Sequence, residues 1–510
     1  MKIAGYIHPI AQALGPHFAC GWFEIVAKLL QALHRDADCE CMMIAGSWPF
    51  RWAAEKGRGS LLDGIPSAEI DEIALYRTLS AFGRLPTALD QAAYDRGGQD
   101  GPALQTITDE VARSAGGFEP DVIISFGIQI DFLAALWPNA LRLHVESGPF
   151  SRNPYPFSMF FDHLGMYGRS IVGQAGDRLR ARPATGDLLG VASAFRTCNA
   201  LALDAVDPFH TVNLRAKFDH LVLLPLQVSN YYSFNEQTNY RTQFEYLLDV
   251  LSACPRDVGV IVTEYVEWGH ILKTCGSGEN VAYLRRNFPQ LIFLEEFRSY
   301  CSPSQFVTPR VDGVWSVSSN VAYQALLYNR TLGSPPTSHF GRIADATTLQ
   351  SFFGSLGPSL PDRNDALMAW LLERYFVPEA LLSDGRWLRD YFARRIGALA
   401  EGADSVEAFV PVADADRLID SWIVKAPRSA AVRFTQPLDE ALSEARTARA
   451  EARVAEKKLD AVLHSTSWRI TAPLRRLSEA VSAGCEQLVS LLPARSQHEQ
   501  PLERPLLRLH

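Results

Sequence analysis

Ser318, Ser319 and Asn320 stand between an apolar run at 311–317 and a segment in which Ala322, Ala325, Leu326 and Leu327 recur at helical spacing. Small hydroxyl and amide side chains at a helix start cap its free N–H groups, and those N–H groups with the helix dipole attract phosphate. The trio is therefore either an anion seat or an ordinary helix cap. Glu146 closes another apolar run, 141–145, where a carboxylate can take a proton from a hydroxyl or serve as a plain surface acid. His8 directly follows the first run, 2–7, and offers a second base or a hydrogen-bonded loop histidine beside Pro9. Arg152 and Arg169 flank the aromatic stretch YPFSMFF. Their guanidinium forks suit a phosphate or an acidic sugar, or stay solvated.

Positioning such groups takes a folded body, and the composition provides one. The chain has 510 residues, 47% hydrophobic and 21% charged, enough for two or three packed domains and incompatible with general disorder. A net charge of -8 without a basic domain argues against a nucleic acid polymer as partner. The cysteines, at 20, 39, 41, 198, 254, 275, 301 and 485, lack the CxxC spacing of a zinc site and the density of a disulfide scaffold, which fits reduced thiols in a cytosol. The opening MKIAGYIHPI has no signal-peptide core, and no run reaches the roughly 18 apolar residues of a spanning helix.

Strands are expected at 2–7, 41–45, 121–126 and 141–145, with a helix after the first carrying Phe23, Val26, Leu29, Leu30 and Leu33 on one face. Residues 50–118 read as helices and loops. From 150 to 215 the strand signal fades into what reads as an inter-domain connection. A second block follows, with strands at 220–225, 258–263, 291–294 and 311–317. Short apolar strands alternating with helices predict an α/β fold with parallel sheets, and ligands in such sheets bind beyond the carboxyl ends of the strands. Past 360 the pattern is helical, including WLLERYF. From Leu438 the positions Ala441, Ala445, Ala448, Ala452, Ala455, Leu459 and Val462 form an apolar heptad seam, consistent with a homodimeric coiled coil or a single projecting helix.

Three stretches, 314–332, LVLLPLQVSNYY at 221–232 and LHVESGPF at 143–150, together resemble the bacterial capsule polysaccharide synthesis family, which includes Kdo transferases and is similar to GT-B glycosyltransferases. The resemblance implies two Rossmann-like domains facing across a cleft, a nucleotide-sugar donor held by the second, and neither an obligatory metal nor a further cofactor. On that basis 1–205 is the acceptor domain, 206–360 the nucleotide-sugar domain, 361–436 a helical segment packed on the body and 437–510 a long helix with an amphipathic tail. Glu146 and Gly148 match the family's strand-end motif, with Ser147 where relatives often have Asp. Pro225, Leu226 and Gln227 match its next strand end, with Ser229 and Asn230 in place of the usual acid. The loop VTEYVEWGH replaces a basic-His-Pro segment and leaves Glu264 and His270 as its polar donor contacts. Ser318 and Ser319 fit the family's Ser-Ser, with Asn320 beside them on the donor side. His17, Glu24 and Arg152 fall where acceptor contacts are expected, and Glu146 or His8 where the base is.

The segment LHSTSWRITAPLRRL at 463–477 resembles a tail found after helical extensions in bacterial polysaccharide-assembly enzymes, through Ser465, Ser467, Trp468, Arg469, Thr471, Pro473, Leu474 and Arg475. Downstream, Leu474, Leu477, Val481, Leu488 and Leu491 share a helical face, which suits either peripheral contact with an anionic bilayer or docking on protein. The expectation is a cytoplasmic glycosyltransferase, peripheral on the inner face of the membrane, acting on a glycan or lipid-linked glycan of capsule or lipopolysaccharide. A non-catalytic assembly scaffold and a GT-B-type epimerase are the alternatives.

Overall fold

Apolar runs that alternate with helical segments become strands buried on both faces, and the strand Val122–Phe126 is buried along its whole length. The computed structural model describes residues 1–9, 17–80, 101–127, 129–150, 155, 157–184, 186–206, 215–227, 232–264, 278–294, 303–357 and 362–422. All lie within one compact unit, Met1–Gln436. Arg152, Ser229, His270, the heptad seam from Leu438 and the motif at 463–477 lie outside the described residues.

The first sheet contains β1 (Lys2–Tyr6), β2 (Glu40–Gly46), β3 (Ser67–Ile70), β4 (Val122–Phe126), β5 (Leu141–Ser147) and β6 (Ser158–Asp162). The second contains β7 (His220–Leu226), β8 (Val258–Glu264), β9 (Leu291–Ile292), β10 (Gly313–Trp315) and β11 (Thr331–Gly333), and β12 (Phe376–Pro378) returns to the first. Their orders are β3-β2-β1-β4-β5-β6-β12 and β9-β8-β7-β10-β11. Each sheet thus contains a parallel 3-2-1-4-5 unit, the Rossmann order. The architecture is α/β with two Rossmann-like sheets, GT-B-like as expected. In each, the chain leaves the two central strands in opposite directions, so the crevice lies beyond β1 and β4 in one sheet and beyond β7 and β10 in the other.

Three elements differ from the sequence reading. Residues 150–215 are not a connection without strands: β6 pairs antiparallel with β5, and helices Ile171–Arg180 and Gly186–Val206 follow. A five-residue strand buried on both faces shows no alternation, and its Pro-rich approach masks it. Within 50–118, the four residues of β3 add an edge to the first sheet. The helical pattern of WLLERYF breaks as well: after a π-helical turn at Leu371–Tyr375 the chain becomes extended at Phe376 and pairs with β6.

The C-terminal helices close over this body. Helix Gly385–Ala400 lies on helix His17–Ala37 at Gly385, where any Cβ would overlap the carbonyl of Ala32. Arg180 donates to Asp345 at 2.7 Å, tying the helix after β6 to the loop beyond β11. Tyr155, between β5 and β6, shares a buried 2.9 Å hydroxyl contact with Tyr328, at the end of the helix that follows β10. Removing one hydroxyl strands the other, at a cost of about 1–3 kcal/mol. We therefore expect Tyr155→Phe and Tyr328→Phe each to destabilise the chain, and the double variant to lose less than the sum. Additive losses in urea denaturation would show that the two hydroxyls do not interact.

Candidate functional site

The second sheet ends in three loops, after β7, β10 and β11, all rich in hydroxyl and amide side chains. Buried polar groups must find partners, and here they find them in one another's loops. Ser318 Oγ donates to Gln227 Oε1 at 2.5 Å, and the Gln227 N–H donates to Gln243 Oε1 at 3.0 Å. Ser233 Oγ lies 3.4 Å from Ser318 Oγ, and Gln237 Nε2 donates to the Ser233 carbonyl at 2.5 Å. From the loop after β11, Ser334 donates to the Ser316 carbonyl at 2.7 Å, Ser338 to that of Val317 at 2.5 Å and Thr337 to that of Gln237 at 2.6 Å. The backbone N–H and Nδ1 of His339 both meet Gln237 Oε1, at 2.8 and 2.6 Å.

Within this frame the segment 318–320 is not the side-chain-capped helix start that the sequence offered as one of its two readings. Asn320 holds the cap position of the short helix Val321–Leu327, and its side chain does not cap. Ser319 Oγ reaches Val321 N only at 3.4 Å. The backbone N–H groups of Ser318, Ser319 and Asn320 make no hydrogen bond among the described residues. Successive unsatisfied N–H groups in a tight loop form an anion-binding concavity.

The Asn320 amide crosses to the first sheet instead, donating to the Ser147 carbonyl at 2.9 Å. Gln324 Nε2 repeats the crossing one helical turn later, to the Pro149 carbonyl at 2.8 Å. Both acceptors follow Glu146, which pairs with Phe160 near the end of β5 and whose Oε1 accepts from the Ser147 N–H at 2.9 Å. Gly148 fits because its N–H bonds the Ser158 carbonyl at 2.7 Å and a Cβ there would overlap the Ser158 side chain.

At the first sheet's switch point His8 is buried, with Nδ1 2.8 Å from the Tyr6 hydroxyl, its ring edge-on to Phe132 and its Nε2 without a partner among the described residues. Burial pushes its pKa down to about 3. Beyond β4, Gln129 accepts from the Met166 N–H at 2.8 Å and donates to Asp131 at 2.7 Å, and Asp131 pairs with Arg169. Tyr167, between those two partners, is held at φ 48°, a left-handed conformation that a bulky residue adopts only under constraint. Its ring lies edge-on to His339 of the second sheet's loops, centroids 5.6 Å apart.

The structure brings together Glu146, Ser318, Ser319 and Asn320, with Gln227 in the same hydrogen-bond chain. Glu264 ends β8 in register with Leu226. His17 opens the first helix, and Glu24 on that helix is bound by Lys28 and Arg58. His144 is structural: Nδ1 meets the Asp162 carbonyl at 3.0 Å and Nε2 accepts from Ile130 N at 3.2 Å. Sequence reasoning missed Ser233, Gln237, His339, Gln129 and Tyr167. The one visible signal was the polar cluster TSHFGR just after an apolar strand.

No family model and no curated protein matches the chain. Similar solved structures include the beta Kdo 2,7 transferase KpsC of Thermosulfurimonas dismutans, at 15% identity over 56% of this chain and 90% of that one, with a TM-score of 0.32. Others are the UDP-GlcNAc 2-epimerase of Neisseria meningitidis bound to UDP-GlcNAc, at 10% identity over 82% and 99% with a TM-score of 0.28, and Anabaena HepE in complex with UDP and glucose, at 12% over 87% and 100% with a TM-score of 0.29.

Burial also sets the acid response. His8, His163 and His339 are each pushed down to about 3 by burial, the Arg395 charge adding to the effect at His163, and burial lowers His144 too. Their contribution to stability is present above the unfolded histidine pKa of about 6.5 and is lost as pH falls. Asp162, raised to about 6 by burial, acts oppositely, its contribution being lost as pH rises through that value. Four histidines against one aspartate predict a net uptake of about three protons on unfolding near pH 5, each worth about 1.4 kcal/mol per pH unit. Urea midpoints measured from pH 7.5 to 5 should fall steadily. A flat or rising profile would mean that these histidines are protonated in the folded chain.

Proposed function

We propose that this chain is a glycosyltransferase that moves a sugar from a nucleotide donor to a glycan acceptor of a surface polysaccharide. The observation that carries the reading is the bond from Asn320 Nδ2 to the Ser147 carbonyl. It joins the anion-binding loop of the second sheet to the strand end that bears Glu146, so that a leaving-group site and a carboxylate meet across the two sheets. The polysaccharide pathway is supported by the tail motif at 463–477.

In this reading the N–H groups of 318–320 receive the donor phosphate. They are aimed in advance at the charge that grows as the sugar–phosphate bond breaks, because Ser318 and the loops around it are fixed by their own hydrogen bonds. Glu146 takes the proton from the attacking acceptor hydroxyl. His8 is a poor base at neutral pH, since burial keeps its imidazole neutral far below that range. It serves the acceptor side as a hydrogen-bonding group. Gln227 and Gln237 hold the loops and Glu264 borders the donor side.

Incubation with a panel of UDP-, GDP- and CMP-sugars should show release of one nucleotide, increased by a glycan acceptor. Glu146→Gln should lower kcat by about 10²–10⁴-fold, with the KM for the donor changed only a few-fold. Sugar isomerisation without nucleotide release would favour an epimerase. Failure of every nucleotide to raise the melting temperature would leave a scaffold.

A further inference from the structure

His339 has no part in the reading above, yet it is among the most constrained polar side chains of the second sheet's loops. Its position rests on Gln237, whose own orientation is fixed: Nε2 is committed to the Ser233 carbonyl at 2.5 Å, so Oε1 is the atom that faces His339. That oxygen receives the His339 backbone N–H at 2.8 Å and lies 2.6 Å from Nδ1. An amide oxygen only accepts, so Nδ1 carries the ring's proton and Nε2 is a bare acceptor. Nε2 has no hydrogen-bond partner among the described residues, although the side chain is only 6% exposed.

The ring sits where two parts of the molecule meet. Its loop is bonded to the carbonyls of Ser316 and Val317 beside the anion seat, and its edge meets Tyr167 from the first sheet's side. A neutral acceptor between a phosphate seat and the opposite sheet matches a hydroxyl on the sugar half of a nucleotide sugar. It does not match a phosphate oxygen, which has no proton to give.

We propose that His339 is a specificity-determining residue of the donor site, its Nε2 accepting a hydrogen bond from a hydroxyl of the nucleotide-bound sugar while Gln237 holds the ring in the required tautomer. This inference rests on the donor-site reading given above. It explains why Nε2 of this imidazole has no partner among the described residues while Nδ1 is held by Gln237, and why Gln237 spends its amide on orienting the ring. Burial keeps that imidazole neutral, with a pKa near 3.

Two measurements test it. In the unliganded full-length chain, long-range proton–nitrogen correlation spectra should report His339 as the neutral Nδ1–H form from pH 5 to 8. An Nε2–H form or an imidazolium overturns the proposal whatever the protein does. Calorimetric titration with UDP, UDP-glucose, GDP, GDP-mannose, CMP and CMP-sialic acid then compares each bare nucleotide with its sugar conjugate. For the conjugate that the unaltered chain binds, His339→Ala should weaken affinity about tenfold. The matching bare nucleotide should stay within about twofold, and His339→Gln, which retains an acceptor, should recover part of the loss. Equal losses for nucleotide and conjugate would make the residue merely structural and overturn the proposal, as would no loss at all. If the unaltered chain binds no nucleotide, the donor-site reading itself falls and takes this inference with it. A selective loss in His339→Ala alone leaves both standing.

Discussion

Hydrogen bonds exchanged between neighbouring loops govern the functional end of this molecule. Here Ser318, Ser334, Thr337 and Ser338 spend their hydroxyls on the neighbouring loop, and Gln237 accepts two bonds from a third. A partly satisfied network of this kind costs more than an apolar core, whereas a satisfied one fixes a single arrangement. The rigidity gained is local to the carboxyl ends of β7, β10 and β11, which is where doubly wound sheets take their ligands.

The same loops also reach outward. Asn320 and Gln324 give their amides to carbonyls that follow Glu146 rather than to their own helix. A helix start that forgoes side-chain capping keeps backbone N–H groups for something else, and an anion is what such groups attract. In the proposed reading, the carboxylate at one end of the crossing and the unsatisfied donors at the other meet the two charge requirements of group transfer from a phosphate. Placing both on loops held by rigid strands limits the reorganisation needed as charge moves.

The two-block α/β plan could be read from the sequence because long, two-sided strands such as β4, β7 and β8 announce themselves as unbroken apolar runs. Glu146, Gln227 and the Ser-Ser pair were visible for a related reason: each follows such a run directly. What escaped was short or non-local. The four and three residues of β3 and β12 carry too little periodicity to register, and β6 owes its existence to partners on both sides. The cap expected at Ser318 was locally sensible. It lost to a tertiary partner, since Ser318 meets Gln227, 91 positions away, and Asn320 meets Ser147, 173 positions away. His339 and Gln237, 102 positions apart, could not have been linked by any local pattern.

The central claim is that a nucleotide's phosphate rests on the loop at 318–320 where the two sheets meet. Backbone hydrogen exchange, recorded with and without a saturating nucleotide chosen from UDP, GDP and CMP, addresses it directly. The account predicts new protection concentrated at 316–320, spreading to 232–237 and 334–341 through the shared hydrogen bonds, and reaching 146–149 through Asn320. Protection confined to other strand ends, with 316–320 exchanging as before, would contradict it.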